Sequence, residues 1–225
     1  MTLNFYRMHY FLSLLILFLV SLGTYAQENS EEEFITMDNT ANGINNEGYE
    51  AMERGDYEQA KQLFRQAIAI DSSAVPYYEN LALACQRSDD QAGLLQCYRM
   101  AKKNIPDDPN IFYYSGDVLQ NAGRYQEAIR DYDRAIELSD PEYTDLLHFF
   151  FFNRGNAYLK LKDFQIAVDN YGQALEVFPQ HAASYANRGM ARYNLKDKKG
   201  ACADWQQAYN NGYKPAANYQ NKYCQ

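Results

Sequence analysis

A period of 34 residues runs through this 225-residue chain and constrains its fold more than any other feature. GDYEQAKQLFRQAI (55–68) matches GRYQEAIRDYDRAI (123–136) at an offset of 68, and NRGNAYLKLKDFQIAVDNYGQAL (153–175) matches NRGMARYNLKDKKGACADWQQAY (187–209) at 34. A repeat of this length is one helix–turn–helix unit of a solenoid, too small to bury its own apolar face and therefore stable only when stacked. Apolar residues within each unit recur at helical spacing rather than in alternation. The composition agrees: 12 glycines and 6 prolines are few for a turn-rich β fold, and 47% hydrophobic residues rule out wholesale disorder.

Position by position, the second helix of each unit carries alanine at Ala60, Ala128, Ala167 and Ala201, with Leu94 as the exception. An aromatic follows at Phe64, Tyr98, Tyr132, Tyr171 and Trp205, and a second alanine at Ala67, Ala101, Ala135, Ala174 and Ala208. The first helix carries a small residue at Gly48, Ala82, Gly116, Gly155 and Gly189, and a closing proline stands at Pro106 and Pro179. Small residues let two antiparallel helices approach, and the aromatics fill the space between one repeat and the next. In this pattern the chain resembles the tetratricopeptide repeat (TPR) proteins over about 175 residues, from Ala41 to Pro215. The resemblance implies an all-α solenoid, a right-handed superhelix of five repeats at about 41–74, 75–108, 109–142, 148–181 and 182–215, closed by a capping helix within 216–225. Helix pairs are expected at 41–54/57–71, 75–87/91–104, 109–122/125–138, 143–161/164–178 and 182–195/198–211, with the cap at 215–223. Two irregularities stand out. Five extra residues, Tyr143 to Leu147, are expected to lengthen the first helix of repeat 4 backwards toward Pro141. Asn42, Gly43, Asn45, Asn46 and Gly48 are poor helix formers, so the first helix of repeat 1 is expected to fray.

The N-terminus reads as an export signal. Arg7 precedes an apolar run from Phe11 to Val20, and Thr24 and Ala26 are small residues suited to cleavage after Ala26. The alternative is an uncleaved membrane anchor, because 8–27 is an uncharged stretch just long enough to span a bilayer. Residues 27–40, QENSEEEFITMDNT, read as an acidic flexible linker. The C-terminal stretch GACADWQQAYNNGYKPAANYQNKYC resembles the last repeat of exported bacterial TPR proteins, which implies the periplasm or its membranes.

Four cysteines, Cys85, Cys97, Cys202 and Cys224, show no C-x-x-C spacing. An even count in an exported chain suggests disulfides. Cys202 opens the last repeat's second helix and Cys224 ends the capping helix, so a bridge there would pin the C-terminus. Cys85 and Cys97 are either a second bridge or two buried thiols acting as small hydrophobes.

With 29 acidic against 21 basic residues the net charge is −8, which disfavours nucleic acid and anionic membrane surfaces. No G-x-x-x-x-G-K, no H-E-x-x-H and no nucleophile–histidine grouping is present, so no catalytic residue, metal or cofactor is expected. Carboxylates such as Asp131, Asp133 and Glu137 are spaced like a solvated face, and His181 reads as a solvated histidine between repeats.

Function is therefore expected on a groove. The resemblance implies that the first helices line a concave surface holding a protein or peptide partner. The family's groove positions fall here on Tyr113, Asp117, Gln120, Phe149, Phe152, Asn156, Met190 and Tyr193. Asn156 and Gln120 would hydrogen-bond a peptide backbone; Tyr113, Phe149, Phe152 and Tyr193 would anchor apolar side chains. The Lys/Asn clamp that some family members use for a C-terminal carboxylate is missing. Four consecutive aromatics, Phe149 to Phe152, cannot all face one core, which leaves one or two for a partner or for the 143–147 insert. The expected role is a non-enzymatic interaction scaffold of the cell envelope, associated with an envelope membrane complex; a periplasmic holdase for exported clients is the alternative, and an enzyme with an unrecognised site the remotest reading.

Overall fold

The computed structural model describes residues 40–140 and 146–224. The expected signal peptide and nearly all of the acidic linker fall outside them. Among the described residues eleven helices and no strand are found, and no helix is long and apolar enough to cross a membrane.

The turns set the helix starts. Within each repeat the chain passes through a left-handed residue just before the second helix: Gly55, Asp89, Gly123, Lys162 and Lys196. The next residue caps that helix, and in three turns it is an aspartate whose carboxylate accepts a backbone N–H: Asp56 from Gln59, Asp90 from Gly93 and Asp197 from Gly200. The repeated G/D/K-D step is thus a turn-and-cap signal in a single dipeptide.

The chain divides into two compact units at Ser88/Asp89, inside the second repeat as the sequence defines it. The first unit contains α1 (40–53), α2 (Tyr57–Ile70) and α3 (Val75–Arg87). α1 is formed over 40–53 despite its poor helix formers, because tertiary packing overrides propensity. Ala41, Ala51 and Met52 are buried, and Asn42 and Asn45 accept hydrogen bonds from Tyr77 and Asn80 of α3. Thr40, the last residue of the expected linker, is already helical.

The second unit contains α4 (Gln91–Asn104), α5 (Pro109–Asn121), α6 (Tyr125–Leu138), α7 (Leu147–Leu161), α8 (Phe164–Val177), α9 (Ala182–Asn194), α10 (Lys198–Asn210) and α11 (Ala216–Tyr223). Pairs α5/α6, α7/α8 and α9/α10 stack in order, and α11 closes on α10. α7 begins at Leu147 rather than at 143; Leu146 is its N-terminal boundary residue, and 141–145 lie outside the described residues.

Four of the five repeats close on a glycine, repeat 2 having Ala82 in its place. A Cβ on Gly48, Gly116, Gly155 or Gly189 would meet the ring of Phe64, Tyr132, Tyr171 or Trp205 at 2.9 Å or less. The structural aromatic therefore lies across the first helix of its own repeat, in addition to any contact it makes with the next repeat. A polar tie repeats beside it. Ser115 donates to Asp131 at 2.6 Å, Arg154 Nε to Asn170 at 2.6 Å and Arg188 Nε to Asp204 at 3.0 Å, each joining first to second helix. Asp131 is consequently buried, held also by Lys102 at 2.7 Å, rather than part of a solvated face; Asp204 is buried as well. A partner base inside the layer, not the helical spacing of the acid, decides which carboxylates face inward.

Cys202 and Cys224 form a disulfide that ties α11 to α10. Cys85 and Cys97 are buried thiols, the second of their two readings. Replacing Cys202 and Cys224 together by serine is expected to cost about 3 kcal/mol, from the loop-closure entropy returned to the unfolded chain. Urea unfolding followed through the fluorescence of Trp205, the chain's single tryptophan, measures it; an unchanged midpoint would show that side-chain packing alone holds α11.

Candidate functional site

In the second unit α7 also touches the first helices on both sides, α5 and α9, so these three form its inner layer. A line of polar side chains crosses that layer. Asp117 accepts hydrogen bonds from Tyr132 (2.7 Å) and Asn153 (2.8 Å). Asn153 also donates to the Tyr113 hydroxyl (3.2 Å) and accepts from Asn156 (3.2 Å). Asn156 in turn accepts from Tyr171 and Asn187, both at 2.8 Å. Burial raises the Asp117 pKa above the usual carboxylate value even against the lowering by its three hydrogen-bond donors. Burial and the Asp117 charge push the Tyr113 and Tyr132 phenols far up, and burial does the same for Tyr171. These hydroxyls therefore stay protonated and act as donors.

The line opens into a recess of about 480 Å³ lined by Gln120, Asn121, Tyr125, Asn156, Leu159, Lys160 and Asn187. Four of the seven are side-chain amides, and Lys160 is the one charge. Amides offer donors and acceptors together, which suits a backbone of alternating N–H and C=O. Within the recess residues, the Oε1 of Gln120 is buried without a hydrogen-bond partner, a costly state for a polar atom.

Of the residues expected to line the groove, the structure brings Asp117, Gln120 and Asn156 onto this line and recess, with Tyr113 at its end, stacked on Phe150 at 4.7 Å. Met190 is half-buried on α9, its carbonyl accepting from Asn194. Phe149 and Phe152 go elsewhere: they pack edge-on against His181 at 5.5 and 4.9 Å. Tyr193 packs on Tyr223 of α11 at 4.6 Å. Of the four consecutive aromatics Phe150 is fully buried and the other three are half-buried. Asn121, Tyr125, Asn153, Lys160 and Asn187 were not singled out by sequence. The NRG triplets at 153–155 and 187–189 carried the signal, since the same asparagine recurs at the same place in two repeats.

His181 is not a solvated linker residue. Its ring lies among His148, Phe149, Phe152 and Phe178, and its Nδ1 is 2.7 Å from the buried Ser184 hydroxyl. Burial, then the neighbouring His148, lowers its pKa below the ordinary 6.5. Because the folded value is the lower one, the unfolded chain takes up the proton first as pH falls, and stability drops below about pH 6.5. Thermal melts between pH 7.5 and 5 should therefore fall more steeply for the wild type than for His181→Phe; parallel curves would contradict this.

Two tetratricopeptide repeat models match the chain, one over 107–180 and the other over 45–109 and 152–216. Tetratricopeptide repeat protein 6 of Homo sapiens is 28% identical over 149 residues, 66% of this chain but 28% of that protein. A UDP-N-acetylglucosamine–peptide N-acetylglucosaminyltransferase of Giardia intestinalis is 27% identical over 135 residues, 58% of this chain and 8% of the enzyme. The chain thus spans under a third of the length of either relative. YrrB, described as a TPR protein with an unusual peptide-binding site, superposes with a TM-score of 0.65 at 18% identity, covering 79% of this chain and 90% of YrrB, a likeness of fold alone. TPR proteins serve as protein–protein interaction scaffolds, and TPR domains bind protein or peptide partners. With the repeat register, the glycine–aromatic closures and both models in agreement, this chain belongs to the tetratricopeptide repeat family.

Proposed function

We propose that this protein is a non-enzymatic scaffold that holds an extended peptide segment of a partner along the inner layer of its second unit, with the amide-lined recess as the central contact. The observation that carries this reading is the recess itself: Gln120, Asn121, Asn156 and Asn187 converge beside Leu159 and Tyr125. Asn156 is already committed to Tyr171 and Asn187, so it holds the wall in place, and the peptide meets a prearranged surface. The mixed amide and apolar lining reads main chain first and side chain second, which fits a scaffold for a partner segment better than a site for a reacting group.

The scaffold is exported and works in the cell envelope, bound to an envelope membrane complex. This rests on the order of charge, apolar run and small residues over 1–26, and the Cys202–Cys224 disulfide fits an oxidising compartment.

The test is a selection of peptides from a random display library on the untagged chain 27–225, followed by anisotropy titrations. Asn187→Ala combined with Asn121→Ala is expected to weaken the selected peptides at least about tenfold, the loss of one or two buried hydrogen bonds. Peptides that bind the double variant as tightly as the wild type would place the contact off this recess.

A further inference from the structure

Two buried carboxylates of the second unit are matched by bases of the fold itself: Asp131 by Lys102, and Asp204 by Arg188 and Arg192. Asp117 differs. It is half-buried on the inner layer, and among the described residues no lysine, arginine or histidine pairs with it. Its partners are neutral, and the Tyr132 hydroxyl and the Asn153 amide both donate to Oδ1, at 2.7 and 2.8 Å, neither of them to Oδ2. We infer that Asp117 receives a basic side chain, lysine or arginine, of the peptide segment held along the inner layer, an inference that rests on the peptide reading given above.

Three observations carry it. A carboxylate drawn partly out of water is costly without a counter-charge, and burial is what raises the Asp117 pKa, so the neutral donors do not replace the lost water in full. The repeat does not require an acid at this place, since the same register position holds Tyr49, Leu83, Asn156 and Met190 in the other repeats. The surroundings also suit a cation. Tyr113 and Tyr114 stand four and three residues before Asp117, one turn away on the surface of α5, with ring centroids 5.2 Å apart and Tyr114 39% exposed. A tyrosine face attracts an ammonium or guanidinium group and covers the alkyl stem behind it.

The spacing joins this site to the recess. Gln120 and Asn121 follow Asp117 by three and four residues, so carboxylate and recess share a face of α5, about 5–6 Å apart. An extended segment advances ~3.3 Å per residue, which sets the basic residue two positions from the residue in the recess. Lys160, the one charge of the recess, lies on α7 a full two turns beyond Asn153, roughly 10 Å by helical rise, so its repulsion of a cation beside Asp117 is largely screened. The net charge of −8 adds a general attraction for a basic segment.

The test runs the random-peptide display selection in parallel on the untagged protein and on Asp117→Asn, sequences both pools, and titrates the selected peptides and their Lys→Gln or Arg→Gln counterparts by anisotropy. The wild-type pool is expected to carry lysine or arginine at one fixed position, and its replacement by glutamine to weaken binding about tenfold or more. Asp117→Asn should weaken the same peptides by a similar factor, yield a pool without the basic position, and lose nothing further when both changes are combined. Peptides that need Asn121 and Asn187 yet bind Asp117→Asn as tightly as the wild type would overturn the cation site and leave the recess standing. Peptides indifferent to Asn121 and Asn187 would overturn the recess reading and this inference with it, as would a selection that enriches nothing. Asparagine keeps an acceptor oxygen for Tyr132 and Asn153; should the variant still lose its helical circular dichroism, the glutamine peptides against the wild type decide alone.

Discussion

Asp204→Ala is expected to destabilise the second unit by on the order of 3–5 kcal/mol. The Asp204 side chain is only 3% exposed and sits between two arginines: Arg188 grips both oxygens at 3.0 and 2.8 Å, and Arg192 adds a third bond at 2.8 Å. Removing the carboxylate leaves the partly buried Arg188 guanidinium without its counter-charge and Arg192 with only the more distant Asp197, at 3.9 Å. The destabilisation comes chiefly from those stranded charges and much less from the bond energy of the pair. The preceding repeat supplies the control. Asn170 occupies the same place, 34 residues earlier, beneath Arg154, which bonds it at 2.6 Å and turns its second nitrogen to Asp133 at 2.6 Å. An amide is therefore an accepted acceptor at this position, and Asp204→Asn should lose clearly less than Asp204→Ala. Urea unfolding of the three proteins, read through Trp205, orders them. Equal midpoints for Ala and wild type would mean that solvent already neutralises both arginines.

How much of this was legible depends on what each feature repeats with. Helix limits came out within a few residues, because the glycine, alanine and aromatic positions recur every 34 residues and any error in one repeat is corrected by the others. The start of α7 escaped, since the five-residue insert has no counterpart to align with. Of the position-specific groove list, Asp117, Gln120 and Asn156 lie on the polar line and recess, whereas the rings of Phe149, Phe152 and Tyr193 pack on His181 and α11. Those contacts come from a turn and from a terminal helix, both outside the repeat logic that generated the list. Asn153 and Asn187 were readable in principle. An asparagine kept at one register position of two helices, beside a buried glycine, has little reason to be there except a hydrogen bond along the layer.

The buried polar ties follow the same rule and show why charge patterning alone misled. Asp131 sits beside Asp133 in sequence, but Ser115 and Lys102 draw only the first inward, while Asp133 meets Arg154 at the half-exposed edge. Nothing in the local helix distinguishes the two acids; the distinction lies in which base the neighbouring repeat presents.

Trp205→Ala should have the other large effect, about 3–5 kcal/mol, but confined to one end of the chain. Trp205 is fully buried, stacks on Tyr219 at 5.4 Å, meets Tyr223 at 5.7 Å and Tyr193 at 5.9 Å, and donates its indole N–H to the Ala186 carbonyl at 3.2 Å. It thus bridges α9, α10 and α11, and it fills the space that Gly189 leaves open, where a Cβ would come within 2.6 Å of the indole nitrogen. The facing glycine and the flanking Ala186, Ala201, Ala208 and Ala216 are too short to refill so large a void, and Tyr193, Tyr219 and Tyr223 could enter it only by giving up their own packing. In a stacked array each repeat is stabilised by its immediate neighbours, so the loss should fall on α9 to α11. Hydrogen exchange followed by mass spectrometry should show amide protection falling there while α5 to α8 keep theirs. The Cys202–Cys224 bond will hold α11 near α10 even so, which makes Trp205→Ala with both cysteines replaced the sharper form of the test: α11 should then lose protection altogether. A uniform fall across α4 to α11 would instead mean that the second unit opens as one cooperative body, and that its terminal repeat draws stability from the whole stack rather than from its nearest neighbour.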